Sequence, residues 1–236
     1  MRSKARAAPP LLLEVRRRLR AAADPERAAQ TKAYLKSAMP MWGVSVPAIR
    51  AICKEVFAGA EIGGRAAWER TALGIWSAAT HREERYAAIL WTGDRRAEEL
   101  QTTEALPLYD RLIREGAWWD LVDEIATHRL PLVLDAEPAA AKRAMLRWAG
   151  DDDVWIRRSA ILCQVSRKGR TDRDLLARAI APSLGRREFF LRKAIGWALR
   201  AYAKVEPGWV VAYVADREAE LSPLSKREAL RHVEPR

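Results

Sequence analysis

The chain has 236 residues, 49% of them hydrophobic, which allows a sizeable core and excludes a disordered polymer. Lys and Arg outnumber Asp and Glu by 42 to 31, and the net charge of +11 favours a polyanionic partner. No segment approaches the roughly 20 apolar residues of a membrane span, and the N-terminal MRSKARAAPP lacks the apolar core of a signal peptide. We therefore expect a cytoplasmic protein.

The chain shows helical spacing of apolar residues and no alternation typical of strands. Acidic residues or Pro mark several helix starts, as at Asp24-Pro25, Glu137-Pro138 and Glu206-Pro207. Short connections predict antiparallel helical hairpins. Helices are predicted near 11–22, 26–38, 47–57, 65–79, 82–93, 104–115, 118–130, 138–148, 153–167, 172–183, 188–204, 207–218 and 225–233.

A weak internal repeat links three of these helices. Each opens with an aromatic residue and carries a polar residue three or four positions later. Trp155 follows Trp119 by 36 residues, and Phe190 follows Trp155 by 35. A period of about 35–40 residues with two helices per unit indicates HEAT-like repeats. The predicted fold is all-α, an α-solenoid of HEAT-like helical hairpins with a concave basic face. Residues 1–24 are predicted to form an N-terminal extension and first helix, and residues 25–236 a single repeat domain.

The tandem Trp118-Trp119 sets the first of the three helices apart. Adjacent helical residues point about 100° apart, so we expect Trp119 at the edge or on the open face if Trp118 is buried. Asp123 lies four residues after Trp119 and so one turn along the same stripe. The sequence therefore predicts an indole and a carboxylate side by side on one surface.

The equivalent stripes of the next two repeats are cationic. Trp155 is three residues from Arg158, and Lys193 is four from Trp197; Arg200 and Lys204 continue the second stripe. Equivalent positions of a solenoid line up on one face. This arrangement predicts a trough of Arg and Lys interleaved with indoles, suited to phosphates, sugars and bases. The excess of basic residues has an alternative reading, ordinary solvated charged faces in an Arg-rich protein.

A lone carboxylate in a basic trough weakens DNA binding, and chemistry is one reason to keep it. The alternative is an ordinary inter-helix ion pair between Asp123 and Arg158 or Lys193. The spacing alone leaves both readings open.

Other sites are weakly indicated. His81, His128 and His232 are scattered without metal-ligand spacing, so they are predicted at the surface or at helix ends, and no metal or cofactor is expected. Cys53 and Cys163 are predicted as buried thiols, since no Cys-x-x-Cys pattern accompanies them. Five tryptophans at helical spacing are predicted in the core: Trp68, Trp76, Trp91, Trp148 and Trp209.

Several runs resemble the AlkD-type DNA alkylation-repair glycosylases, and the similarity extends from about residue 25 to about residue 233. The runs are AYLK (33–36), GVSVP (43–47), AWWDLVD (117–123), VWIRRSAIL (154–162), EFFLRKAIGWALRAYAK (188–204) and LSKREA (224–229). The resemblance implies hydrolysis of the N-glycosidic bond of N3- and N7-alkylated purines in duplex DNA. The first 24 residues have no counterpart in the family pattern.

By matching positions, the resemblance implies that Asp123 is the catalytic carboxylate and that Trp119 and Trp197 flank the sugar of the damaged nucleotide. It implies that Arg158 contacts phosphate and that Tyr34 lies near the DNA. The stripes add Trp155, Lys193, Arg200 and Lys204 as DNA-binding candidates. The expected partner is duplex DNA containing alkylated purines, bound by a monomer. The cytoplasmic protein is expected to be nucleoid-associated when bound to DNA. Two alternatives are a non-catalytic HEAT-type module that binds DNA, RNA or an acidic helix, and a binder of branched or distorted DNA.

Overall fold

A computed structural model describes residues 9–233, and all regular elements in that range are helices. The chain divides into two compact units, Met1–Leu100 and Gln101–Arg236. Residues 1–8 of the predicted N-terminal extension lie outside the described range. The division predicted between residues 24 and 25 falls inside the first unit, between its first two helices. Within the described range, every helix is too short or too polar for a bilayer crossing.

The first unit packs its helices around a core of aliphatic side chains and tryptophans. The N-terminal helix α1 packs against α3 and α5, and α4 packs against α5. Trp68, Trp76 and Trp91 are buried, as predicted. The helices are α1 (Pro10–Ala21), α2 (Pro25–Leu35), α3 (Val46–Ala58), α4 (Arg65–Ala78) and α5 (Arg82–Thr92), followed by a 3-10 segment, Arg95–Leu100.

The second unit stacks helical hairpins in series. Helix α10 packs against α9 in its own hairpin and against α7 and α12 of the neighbouring ones, while α9 packs against α11. This stacking confirms the predicted all-α solenoid fold. The helices are α6 (Leu106–Gly116), α7 (Trp119–His128), α8 (Leu130–Ala136), α9 (Pro138–Ala149), α10 (Val154–Leu162), α11 (Arg173–Ile180), α12 (Phe189–Ala203), α13 (Pro207–Asp216) and α14 (Pro223–Ala229).

The predicted helix starts are confirmed where a cap or a proline specifies them. Helix α2 begins at Pro25, and the Asp24 side chain accepts a hydrogen bond from the Arg27 backbone. Helices α9 and α13 begin at Pro138 and Pro207. Each proline supplies the helical φ and has no backbone N–H to satisfy.

The structure differs from the prediction at several helix ends and at two tryptophans. The predicted helix 118–130 ends at His128, and a separate helix, α8, follows with Pro131 in its first turn. The predicted helix 153–167 ends at Leu162. Trp148 and Trp209 are half-buried, not core residues, because both lie at helix surfaces.

Both cysteines are buried, as predicted. Burial raises the pKa of the Cys53 and Cys163 thiols to about 12, so both stay protonated and unreactive at neutral pH.

Candidate active site

The first turns of α7, α10 and α12 carry aromatic rings that contact one another. The ring centroid of Trp118 lies 5.8 Å from that of Trp155 and 5.2 Å from that of Phe190, and the last two are 4.7 Å apart. The sequence repeat therefore corresponds to a physical cluster at three helix starts. The cluster contains Trp118, whereas the prediction aligned Trp119 with Trp155 and Phe190. Trp118 stands just before α7 with an extended backbone, φ −155° and ψ 144°.

This contact also places Trp155, which was predicted to bind DNA. Its indole is half-buried and packs between Trp118 and Phe190. A DNA contact by Trp155 stays a prediction. Its neighbour in the cluster, Phe189, is 58% exposed and packs edge-on against Phe190 at 5.4 Å.

Asp123 and Arg158 form a two-point ion pair between α7 and α10. Arg158 Nε donates to Asp123 Oδ1 at 2.7 Å, and Nη2 donates to Oδ2 at 2.8 Å. The Asp123 side chain is 16% exposed and that of Arg158 is 5% exposed. The Asp123 side chain is therefore mostly buried but more exposed than that of its cationic partner. A guanidinium fork of this kind fixes the plane of the carboxylate as well as its position.

Arg158 extends the tie to a third helix. Its Nη1 donates to the backbone oxygen of Phe190 at 2.6 Å, in the first turn of α12. One buried side chain thus joins α7, α10 and α12. The geometry favours a role for Arg158 in holding Asp123, and the predicted phosphate contact stays a prediction.

Burial is the largest influence on Asp123 and raises the pKa of its carboxyl group. The hydrogen bonds and charge of Arg158 oppose that shift, and the nearby Asp120 adds to it, so that the pKa ends above its ordinary value of 3.8. Both carboxyl oxygens accept hydrogen bonds from Arg158, which is the geometry of the ionised form. The site therefore holds an anion that is costly to maintain without its arginine.

The two tryptophans predicted beside the carboxylate are both half-buried. Trp119 is the first residue of α7, one turn before Asp123. Trp197 lies on α12, two turns after the carbonyl of Phe190 that Arg158 binds. The predicted trio therefore stands on two helices that one arginine links.

The cationic stripe of α12 is partly neutralised from within the protein. Lys193 Nζ donates to Glu228 Oε1 at 3.1 Å, and Arg200 donates to Glu228 Oε2. The hydrogen bond from Lys193 and the positive charges of Lys193, Arg200 and Arg231 outweigh the effect of burial and hold the pKa of the Glu228 carboxyl below its usual range. The prediction of an open basic stripe missed this acid.

A glycine brings Glu228 to the stripe. A Cβ on Gly196 would lie 2.5 Å from the Glu228 Cβ and 3.1 Å from the Ser225 carbonyl oxygen. Ser225 also donates to the Arg192 carbonyl at 2.9 Å. Only a residue without a side chain permits this approach of α14 to α12. The LSKREA run that carries the family resemblance contains Glu228, and this was the available signal.

The remaining two predicted DNA-binding residues are exposed. Lys204 caps the C-terminus of α12 in the second unit. Tyr34 lies in the last turn of α2 in the first unit and is 73% exposed. Their contact with DNA stays a prediction.

The second unit consists of stacked helical hairpins, and one arginine of α10 holds a carboxylate of α7 and binds the start of α12. These features define a helical-repeat protein with a candidate polar site. The family model for DNA alkylation repair enzymes matches residues 15–233, so residues 15–24, which were predicted to have no counterpart in the family, are part of the match. The chain belongs to this family and acts in the repair of alkylated DNA.

A solved structure supports the same conclusion. The chain is 28% identical to a predicted DNA alkylation repair enzyme from Enterococcus faecalis, with a TM-score of 0.80. The similarity covers 91% of this chain and 98% of the other. No curated protein sequence matches the chain.

Proposed function

We propose that the protein is a monofunctional DNA glycosylase that hydrolyses the N-glycosidic bond of cationic N3- and N7-alkylated purines in duplex DNA. The observation that carries the proposal is Asp123, a carboxylate held ionised by two hydrogen bonds from a buried arginine, with its side chain 16% exposed. Its partner in this proposal is duplex DNA, which it binds as a cytoplasmic monomer.

Alkylation at N3 or N7 gives the purine a positive charge and makes it a good leaving group. When the bond between C1′ and the base nitrogen breaks, its electron pair goes to the base and neutralises that charge. The sugar is left as an oxocarbenium-like cation. Water then bonds to C1′ through oxygen and loses a proton to solvent, which leaves an abasic site. No general acid need protonate the base.

The Asp123 carboxylate stabilises the cationic sugar and orients the attacking water. Such an electrostatic group is effective because it is aligned before the reaction and needs no reorganisation during it. The fork from Arg158 supplies that alignment, since it occupies one direction at each carboxylate oxygen and leaves the other lone pairs available. Arg158 is thus a positioning residue in this mechanism.

Trp119 and Trp197 support the same cation. An indole face attracts positive charge through its quadrupole and favours a cationic sugar over a neutral one. The placement of Trp119 one turn before Asp123 and the half-buried state of both indoles support this role. Release therefore depends on the charge of the lesion more than on the identity of the base.

The test is base release from a defined 7-methylguanine duplex, measured by alkaline cleavage of the abasic product. Asp123→Asn is expected to lower the rate by about 10²–10³, while duplex affinity is kept or improved because a negative charge is lost. Asp135→Asn is the matched control, since Asp135 also pairs with arginines of the second unit, Arg167 and Arg170, but lies on α8 and not on the three helices that Arg158 links. Release at the parent rate by Asp123→Asn contradicts the catalytic assignment.

A second substrate series tests the dependence on charge. The wild-type protein is expected to release 7-methylguanine and to leave uracil and ethenoadenine, which carry no positive charge, in place. Efficient release of uracil contradicts the mechanism.

One observation favours the alternative of a non-catalytic module that binds DNA or branched and distorted DNA. The same Asp123–Arg158 pair ties three helices together and would serve as a structural link without chemistry. The alternative predicts duplex or junction binding without base release by the wild-type protein, and loss of stability alone in Asp123→Asn.

A further inference from the structure

Two parallel helices of the second unit, α6 and α9, are tied together at both ends. At their starts, the Thr103 backbone N–H and Oγ1 donate to Glu137 Oε2 at 2.7 Å and 2.5 Å. At their ends, Arg114 donates to both oxygens of Asp151 at 3.0 Å and 2.7 Å. These ties fix the separation of the two helices.

Between the ties the helices leave an open groove of about 570 Å³. The groove exists because α9 presents alanines, Ala140 and Ala144, where larger side chains would meet α6. Leu106 and the half-buried Trp148 complete an apolar floor. Trp148 packs on a buried alanine cluster, which holds its indole in place.

The groove carries two uncompensated positive charges. Arg143 and Arg147 are four residues apart on α9, exposed, and line the groove. Within residues 9–233 neither side chain makes an ion pair or a hydrogen bond. The one acid in the lining is Asp110, set against two arginines, and it pairs at 3.0 Å with Arg114, which it shares with Asp151. The groove therefore combines an apolar floor with a net positive wall.

We propose that this groove binds an acidic amphipathic peptide segment of a partner protein. Two carboxylates about one helical turn apart match the spacing of Arg143 and Arg147, and an apolar side chain between them fits over Trp148 and the alanines. A nucleic-acid backbone would use the arginines but not the apolar floor, so the observations favour a peptide. The groove lies on α6 and α9, whereas the candidate active site lies on α7, α10 and α12. The inference therefore does not depend on the proposed chemistry.

The probe is a fluorescein-labelled synthetic peptide of about 12 residues, roughly the length of α9 at 1.5 Å per residue. It carries Glu pairs at four-residue spacing around Leu and Trp, and a matched peptide has Gln in place of every Glu. Fluorescence anisotropy with the full chain is expected to show saturable binding of the Glu peptide and none of the Gln peptide.

Two variants test the site. The double variant R143E with R147E is expected to lower the affinity for the Glu peptide by about tenfold or more, and tenfold corresponds to about 1.4 kcal/mol. The control, K54E with R70E, changes the net charge equally at two exposed cations of the first unit and should leave affinity within about twofold. Ala140→Trp fills the groove without a change of charge and is expected to abolish binding, with the fold checked by circular dichroism.

Three results with the peptide overturn the proposal, and a fourth with a DNA duplex does so as well. They are no saturable binding of the Glu peptide, equal loss in the charge-matched control, and unchanged binding by the filled groove. Titration with a labelled duplex separates the nucleic-acid alternative. If the R143E and R147E pair weakens duplex binding as much as peptide binding, the groove is a DNA surface and the peptide proposal is wrong. Base release from 7-methylguanine is expected to persist in both groove variants.

Discussion

The contact between Asp123 and Arg158 makes the strongest prediction. Replacement of Arg158 by Gln removes the charge and the fork while keeping a polar side chain at the same place. It leaves the Asp123 carboxylate without its cation in a site where that carboxylate is only 16% exposed. The change also removes the hydrogen bond to the Phe190 carbonyl that joins α12 to the pair.

The magnitude follows from this burial. Breaking a buried ion pair by removal of one partner costs about 3–5 kcal/mol, because a charge is left uncompensated. With a urea slope of about 1–3 kcal/mol/M, the unfolding midpoint of Arg158→Gln is expected to fall by about 1–5 M. Arg158→Lys keeps the charge but loses the two-point fork, so its unfolding midpoint should lie between those of Arg158→Gln and the parent protein.

The pH dependence has a definite sign. Burial already raises the pKa of Asp123, and Arg158 opposes that shift. Without the arginine the pKa rises further, so the carboxylate becomes protonated at a higher pH. The acid limb of base release is therefore expected to move to higher pH in Arg158→Gln, and to move less in Arg158→Lys.

A stability cycle with Asp123→Asn, Arg158→Gln and the double variant completes the assay. Because both single changes break one shared interaction, the double variant is expected to be more stable than the sum of the two losses predicts. Additive losses, together with an unmoved acid limb and weaker duplex binding, would show that Arg158 acts on phosphate and not through Asp123.

Three further perturbations have expected outcomes. Gly196→Ala places a Cβ 2.5 Å from a side-chain carbon of α14 and should lower the free energy of unfolding in urea by about 1–3 kcal/mol. Gly208→Ala, with open space around it, should cost much less, and equal losses contradict the close approach. Glu228→Gln frees two cations of α12, so the slope of log affinity for duplex DNA against log salt concentration should steepen by about one to two. The matched variant Glu218→Gln should leave this slope unchanged. Glu84 is buried, which by itself raises its pKa, but hydrogen bonds from an arginine of α1 and from two backbone N–H groups lower the pKa below 4.5 overall. The stability that Glu84 contributes is present above pH 4.5 and lost as pH falls through the lower folded pKa. Glu84→Gln should therefore cost about 1–3 kcal/mol at pH 7 and less in acid, and a loss independent of pH contradicts the assignment.

The sequence determined the fold class and most helix starts. Amphipathic spacing and caps such as Asp24 and Pro138 act within a few residues of themselves, so their effect is readable along the chain. The helix α8 was missed because apolar residues keep their helical spacing from Leu121 through Leu130, and only the break before Pro131 separates the two helices. The spacing of aromatics at about 35 residues predicted which helices stack, since repeats place equivalent positions together.

Only the tertiary structure decided what the predicted site residues touch. Spacing placed Asp123 and Arg158 on facing stripes but left an ion pair and an open carboxylate as equal readings; the packing of α10 against α7 brought them into a two-point bond. Glu228 lies 35 residues from Lys193 and 28 from Arg200, and nothing in either helix indicates that α14 crosses α12 at Gly196. Contacts between helices depend on crossing geometry and side-chain volume summed over many residues, and for this reason the local pattern could name the charged groups without telling which of them neutralise one another.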